Sequence, residues 1–371
     1  MLIAAELEQT APLYQRVKSV MLERALSDKL VRPVPAVPDP VVLWLIADPA
    51  AARAFAGQSV FEGRLPPPDQ APSAWLEHGA TALERLDPEL VRSLRLVASQ
   101  EQPVIVVRGL PAGPVLPRTP YEGAVDIAAS GQAIANLHAV LGCLGLHPVA
   151  YAGESDSTLH PVCPRANARG ELSSRGFDRA LPFHTDYADR PIDEGVHDQS
   201  PAAAVLAFAI ERAEAAVPME CAALAQLLSV LPPDDVGAGE VEDFLVHAPA
   251  IFHAGPAART RRLFLPGERG RLNLGRMIGR SERAACLLRE VAAILSDPGM
   301  VEPIPVRRGD IVIMDNQRVL HRRASFAPRW DGTDRYFIRT SAVRVRSPAS
   351  RPIRGARGSG HSAAARQEFR C

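Results

Sequence analysis

The sequence predicts an α+β protein in which an antiparallel β-sandwich or barrel is decorated by helices. Two observations carry this. Short apolar runs bounded by Gly and Pro crowd the second half of the chain, as in Ala203–Ile210 and Ile311–Met314. Apolar stripes at helical spacing lie before and between them. One stripe is Ile127, Ile134, Leu137, Leu141 and Leu144, and another is Ala284, Leu287, Leu288, Val291 and Leu295. At 371 residues the chain suits one large or two ordinary domains of ~150 residues each. We divide it into a mostly helical region over 1–99 that packs on the core, a β-rich domain over 100–346, and a tail over 347–371.

Residues 1–30 read as an amphipathic helix with Leu7, Leu13, Val17, Val20 and Met21 on one side. Prolines at 33, 35, 38 and 40 then break the chain before the apolar segment Val41–Ile46. A helix and turn over 47–63, a linker at Pro66–Pro68 and a helical stretch over 73–98 follow. Glu101–Pro111 reads as a buried strand ended by Gly109 and Pro111. A helix follows Thr119-Pro120, and His138 and His147 in or beside it read as packed or solvated side chains. Residues 148–180 form a long polar loop, of the sort that carries binding contacts. Pro218 is placed to open a helix whose buried face is Leu224, Leu227, Leu228 and Leu231. Short strands are expected over 243–253 and 261–266, where His247 and His253 read as structural. Ser281 is positioned to cap the last long helix. Gly309-Asp310 turns the chain into the strand Ile311–Met314, and the Arg-, Ser-, Ala- and Gly-rich tail has the composition of a disordered segment.

Composition narrows the function classes. Lys+Arg and Asp+Glu balance at 42 each, so no overall basic field points to nucleic acid or a membrane surface. The five cysteines are odd in number, widely spaced and without a C-x-x-C pair, which argues against a disulfide framework or structural zinc. The first residues lack a signal-peptide pattern, and no apolar run reaches ~18 residues. A soluble cytoplasmic protein of unspecified oligomeric state is the expectation.

The chemistry gathers around Leu181–Tyr187, which holds His184 and Asp186 in an H-x-D spacing. In an extended chain residues two apart point to the same side, so these two can grip one metal ion. His321, beyond the strand ending at Asp315-Asn316, offers a third ligand. Two His and one carboxylate with open positions suit non-haem Fe(II) that activates dioxygen. Fourteen residues after His321 comes Arg335, and Arg339 shares its face of a strand covered by Tyr336, Phe337 and Ile338. Two arginines facing one cavity are costly unless an anion meets them. The guanidinium fork matches a carboxylate, and 2-oxoglutarate chelates iron at one end while its far carboxylate needs a cation.

The segments Gly309–Asn316, Val319-Leu-His321-Arg, Pro328–Arg335 and Ile338-Arg339 closely resemble the clavaminate synthase-like branch of the TauD/TfdA superfamily. Val107–Pro111, Ser173-Ser-Arg-Gly176 and Phe183–Asp186 agree, so the resemblance covers roughly 100–345. It implies a double-stranded β-helix (jelly-roll) core with surrounding helices. It implies His184, Asp186 and His321 as iron ligands and Arg335 on the distal carboxylate of 2-oxoglutarate. Arg339 would help hold the co-substrate or a substrate carboxylate, and Ser173 and Ser174 would contact an amino-acid substrate. The activity implied is hydroxylation of an unactivated C–H of an amino acid or derivative, free or carrier-bound, in antibiotic biosynthesis, with consumption of O2.

The departures carry information. Many members of the branch have Glu where this chain has Asp186, but either carboxylate ligates iron, and its presence disfavours halogenation. A Thr that often touches 2-oxoglutarate is missing from Ala215–Glu220. The acidic residues that meet a guanidinium substrate are replaced by Arg271–Arg276, with Asn273 and no Asp or Glu. A neutral, acidic or side-chain-modified substrate therefore fits better than free arginine or lysine, unless Asp189, Asp193, Glu194 or Asp198 form a lid. Three alternatives stay open: desaturation or cyclisation at the same site, a related oxygenase acting on a small anionic metabolite through Arg175, Arg179 or Arg276, and a non-catalytic jelly-roll binding protein.

Overall fold

The structure is a computed structural model that describes residues 41–57, 65–150, 157–190, 205–248 and 258–344. The expected helix over 1–30, the tail from 347, His197, His253 and the acidic residues Asp193, Glu194 and Asp198 lie outside the described residues.

Strand β1 (Val42–Ile46) leads into helices α1 (Pro49–Gly57), α2 (Pro72–Leu86) and α3 (Pro88–Ser99). The helical stretch read over 73–98 is thus two helices. Pro88 cannot continue α2, and the Asp87 side chain caps α3 by accepting from the Leu90 N–H. Then come β2 (Val104–Arg108), α4 (Gly131–Cys143), β3 (Leu146–Val149) and β4 (His160–Val162). The site-bearing half follows with β5 (Leu181–His184), β6 (Val205–Arg212), β7 (Met219–Ala223), α5 (Leu224–Val230) and α6 (Pro233–Gly239). Next are β8 (Phe244–His247), β9 (Ala258–Arg261), β10 (Phe264–Leu265), β11 (Arg269–Gly270), β12 (Met277–Gly279) and α7 (Glu282–Ile294). The described chain closes with β13 (Glu302–Ile304), β14 (Ile311–Asp315), β15 (Val319–Arg323) and β16 (Tyr336–Arg344).

One correction concerns Pro218. The helix expected there begins later, because Met219–Ala223 is the strand β7, paired with β15 and β13. Cross-strand pairing overrides the local start signal. Leu224, Leu227 and Leu231 are buried as the stripe requires. Ser281 does cap α7, accepting from the Ala284 N–H at 3.1 Å.

Two sheets position the site. The larger runs β1-β2-β14-β6-β16-β3, with β4 also paired to β16, and the smaller runs β13-β7-β15-β5. All these pairings are antiparallel except β1 with β2. The period of two divides the apolar strands cleanly. Ile105, Val107, Ala207, Ala209, Ile311, Ile313 and Ile338 face a core shared with α2, α3 and α4. Val104, Val106, Leu206, Phe208, Val312, Met314 and Phe337 face Met219, Cys221, Ile304 and Val319 of the smaller sheet. Both faces are covered, which is why these strands read as unbroken apolar runs. Helices α2 and α4 approach so closely that a Cβ on Gly79 would stand 2.9 Å from the Ala139 backbone.

The turn into β14 is pinned by charge. Gly309 adopts φ 88°, and Asp310, almost fully buried, accepts from Arg108 Nε at 3.1 Å and Nη2 at 2.8 Å. His138 is fully buried, with Nδ1 2.8 Å from the Ile134 carbonyl and its ring against Trp75. It is a packed side chain, as expected. No helix among the described residues is long and apolar enough to cross a membrane, and Cys143, Cys163, Cys221 and Cys286 are free thiols.

Candidate metal centre

The two histidines meet because β5 pairs with β15. His184 and His321 are direct Cα partners in that ladder, and their ring centroids lie 4.1 Å apart. Asp186 lies just past the end of β5. Its position is set by the chain on either side. The Thr185 N–H donates to the Leu272 carbonyl at 2.7 Å, and His184 bridges to Asn273. Tyr187 then takes the left-handed φ of 57°, a costly conformation for a non-glycine residue. Its buried hydroxyl is 3.1 Å from Ser341 Oγ, which anchors the turn. Most directly, Asn316 grips the Asp186 main chain twice. The Asp186 N–H donates to Asn316 Oδ1 at 2.8 Å, and Asn316 Nδ2 donates to the Asp186 carbonyl at 2.9 Å.

The resulting donors converge. Asp186 Oδ1 lies 3.4 Å from His184 Nε2 and 3.9 Å from His321 Nε2. One ligand atom from each of the three residues falls within 4.8 Å of the others. His184 Nδ1 is 2.9 Å from the Pro182 carbonyl, which can only accept, so Nδ1 carries the proton and Nε2 presents its lone pair inward. Burial pushes His321 down to about 3, aided by the neighbouring His184 and opposed by Asp186. Burial also works to raise the Asp186 pKa, but the Arg339 guanidinium and then the two imidazoles outweigh it and hold the carboxyl well below the usual carboxylate range. Two imidazoles and a carboxylate aimed at one point, with His184 buried and Asp186 and His321 partly buried, fit a divalent cation that tolerates that donor set.

The cavity in front of them is about 120 Å³. Its lining includes His184, Asp186, His321, Arg335, Arg339, Ser173, Ser174 and Asn273. Arg335 is 5% exposed and stacks on Phe337 with its guanidinium carbon 3.9 Å from the ring centroid. Its Nε has no hydrogen-bond partner and no carboxylate lies within ion-pair distance among the described residues. Burial, then the nearby Arg323, pushes its pKa down to about 9. The turn before it is fixed by Asp334, which accepts from the Tyr121 hydroxyl at 2.6 Å and from the Arg329 and Trp330 N–H groups. Arg339 sits differently. Its Nη1 is 2.7 Å from Asp186 Oδ2, on the oxygen turned away from the histidines.

Two contributors were missed by sequence reasoning. Arg323, two residues past His321, is 5% exposed, lines the cavity and leaves its Nε without a partner. Its Nη1 donates to the Ala324 carbonyl at 2.7 Å, and burial, partly offset by Asp178, lowers its pKa to about 10. The period-two argument applied to Arg335 and Arg339 also finds Arg323 from His321. Asn316 stood in the quoted Asp315-Asn316 pair, but nothing local says that its amide reaches Asp186. Arg175 and Arg179 do not line the cavity, whereas Arg276 and Asp189 do.

Comparisons with known proteins find this fold and this donor set similar to those of non-haem iron oxygenases. The taurine catabolism dioxygenase TauD, TfdA family matches residues 240–341. L-asparagine oxygenase of Streptomyces coelicolor is 28% identical over 298 residues, covering 78% of this chain and 86% of the relative. Clavaminate synthase 2 of Streptomyces clavuligerus is 28% identical over 286 residues, covering 71% and 82%. The fold is that of asparagine oxygenase solved with Fe(II), 2S,3S-3-hydroxyasparagine and succinate, with a TM-score of 0.70 at 24% identity over 82% of this chain and 94% of that one. It is also that of the non-heme iron oxygenase OrfP solved with Fe and alpha-ketoglutaric acid, with a TM-score of 0.68 at 20% identity over 82% and 94%. The resemblance to the TauD/TfdA dioxygenases read from the C-terminal motifs is borne out.

Proposed function

We propose that this chain is an Fe(II)/2-oxoglutarate-dependent dioxygenase that hydroxylates an unactivated C–H of an amino acid or amino-acid derivative. The observation that carries it is the convergence of His184, Asp186 and His321 beside Arg335, a buried cation without a carboxylate partner among the described residues. In this reading the two sheets are the two sides of a double-stranded β-helix, with the site between β5, β15 and β16. The asparagine and arginine-derived ligands named with the structural relatives support an amino-acid substrate.

The residues divide the work. His184 Nε2, Asp186 Oδ1 and His321 Nε2 would hold iron at the wall of the cavity. Arg335 takes the distal carboxylate of 2-oxoglutarate, and Arg323 adds positive potential at that end without itself needing contact. Arg339 neutralises and orients Asp186 through Oδ2, so that Oδ1 faces the metal. It would also help hold a co-substrate or substrate carboxylate bound beside that metal. Ser173, Ser174 and Asn273 line the wall where the substrate sits. Iron bound there with 2-oxoglutarate would supply the oxidising chemistry, drawing on dioxygen and yielding succinate and carbon dioxide as co-products. The protein supplies position, charge and exclusion of water.

The test is anaerobic addition of Fe(II) and 2-oxoglutarate to the purified protein. A visible charge-transfer band, followed by succinate release in air with a panel of free and carrier-bound amino acids, is the expected result. No band at saturating 2-oxoglutarate overturns the reading.

A further inference from the structure

The wall of the cavity opposite in sequence to the arginine strand is built by two segments. One is Leu172, Ser173 and Ser174, and the other runs from Asn273 to Arg276. The second segment is placed by the metal-bearing strand itself. Leu272 accepts from the Thr185 N–H at 2.7 Å, Asn273 bridges to His184, and the Leu274 N–H donates to the Phe183 carbonyl at 3.2 Å. Whatever Asn273 and Arg276 recognise is therefore held in fixed register to the iron ligands.

The chain turns sharply there. The Asn273 side chain accepts from the Gly275 N–H at 3.2 Å, and the Arg276 N–H donates to the Asn273 carbonyl at 3.0 Å. The turn sends Arg276 across to the facing segment, where Nη2 donates to the Leu172 carbonyl at 3.1 Å. The half-buried guanidinium thus spans the wall. Among the described residues no carboxylate lies within ion-pair distance of it. Glu171 and Asp189 are its nearest acidic influences, and burial outweighs both in setting its pKa below the usual arginine value.

Charge across the whole cavity points the same way. Five arginines line it, with two carboxylates, Asp186 and Asp189. Arg322 is spent on Glu220 at 2.8 Å and Arg339 on Asp186 at 2.7 Å. Arg335, with Arg323 behind it, is matched by the distal carboxylate of 2-oxoglutarate. Arg276 is left over, at the substrate wall, beside an amide and two hydroxyls. A partly desolvated guanidinium gains most from a carboxylate, which it meets in bidentate geometry. A cationic side chain placed there would meet like charge instead.

Resting on the oxygenase reading above, we infer that the substrate carries an acidic side chain and that Arg276 binds its carboxylate, with Asn273 donating beside it. The substrate class is an amino acid with a side-chain carboxylate, free or as a carrier thioester. Arg276 is a specificity-determining residue of this site.

The experiment uses the full-length protein with Fe(II) and 2-oxoglutarate. The probes are L-aspartate and L-glutamate, their amides L-asparagine and L-glutamine, and the thioester of each on a phosphopantetheine mimic. The visible band formed before any substrate is added reports on the oxygenase reading alone, and its absence overturns both readings together. With the band present, an acid is expected to shift it and to couple succinate release to a hydroxylated product, with kcat/KM at least about tenfold above its amide. Arg276→Gln is expected to raise KM for that acid roughly 10–100-fold and to narrow or reverse the acid-over-amide preference. Arg276→Lys, which keeps the charge but not the fork, restores part of it. An amide preferred over its acid, no response to any acid, or an unchanged KM in Arg276→Gln overturns the inference while the band keeps the oxygenase reading standing.

Discussion

Asn316→Ala tests whether the iron site is positioned from behind. The Asn316 side chain is 2% exposed and makes two hydrogen bonds to the Asp186 main chain, at 2.8 and 2.9 Å. Truncation removes both and strands a buried N–H and a buried carbonyl at the very residue that supplies the carboxylate. Each lost bond is worth about 0.5–1.5 kcal/mol net, and stranding buried polar groups adds to it, so a loss of about 2–4 kcal/mol in folding stability is expected. Outer-shell partners of metal ligands typically carry 10–100-fold in metal affinity, and a similar fall in Fe(II) affinity is expected here. Denaturant unfolding of the metal-free protein measures the first quantity, and anaerobic Fe(II) titration in the presence of 2-oxoglutarate measures the second. Asn316→Asp supplies a control: its carboxylate can still accept from the Asp186 N–H but cannot donate to the carbonyl, so it should fall between. If Asn316→Ala loses less than about 0.5 kcal/mol and binds Fe(II) as the parent does, the amide does not hold the ligand and the reasoning fails.

Other perturbations separate roles around the molecule. His184→Ala or His321→Ala should abolish succinate release while circular dichroism shows the fold intact; activity retained in either would remove that residue from the ligand set. Arg335→Gln should weaken 2-oxoglutarate roughly 10–100-fold by titration of the visible band, yet leave the apo protein as stable or more so, because a buried cation without a carboxylate partner is lost. A less stable apo variant would contradict that account. His138 should make the protein acid-sensitive. Burial, opposed by its contact to Ile134 and by Asp69, depresses its folded pKa from 6.5 to about 4. Between those values the unfolded chain binds the extra proton, so stability is lost as pH falls through 6.5 and the loss levels off near 4, at ~3 kcal/mol. Urea unfolding at pH 7 and pH 4.5 should show a smaller difference for His138→Gln, and an equal difference would assign the acid sensitivity elsewhere. Gly79→Ala should cost about 1–3 kcal/mol in a thermal or urea melt, since its Cβ would stand 2.9 Å from Ala139; a neutral result would mean that α2 shifts freely on α4.

The legible parts were those in which local pattern and tertiary demand coincide. The runs at 104–107, 205–210 and 311–314 are apolar on both faces because both faces are covered, so their strands were readable. Ser281 caps its helix through its own neighbour, a contact three residues long. The Pro218 helix was misread because what decides Met219–Ala223 is the pairing to Val319–Arg322, about a hundred residues downstream. The same limit hid Arg323 and Asn316. A guanidinium or an amide announces no partner in the sequence, and the partner of Asn316 is 130 residues away.

By itself the sequence determined the donor types and their order, H-x-D and then His321, Arg335 and Arg339. Ligand chemistry is a property of side chains, and the period of two sets which neighbours share a face. Only the tertiary structure decided that His184 stands directly opposite His321, that Asn316 locks the Asp186 main chain, and that Arg339 is tied to the ligand carboxylate while Arg276 and Arg335 are not paired with a carboxylate among the described residues. These facts depend on register and burial between strands far apart in the chain. A shift of one residue in β15 against β5 would turn His321 away from the cavity and leave the same sequence without a metal site.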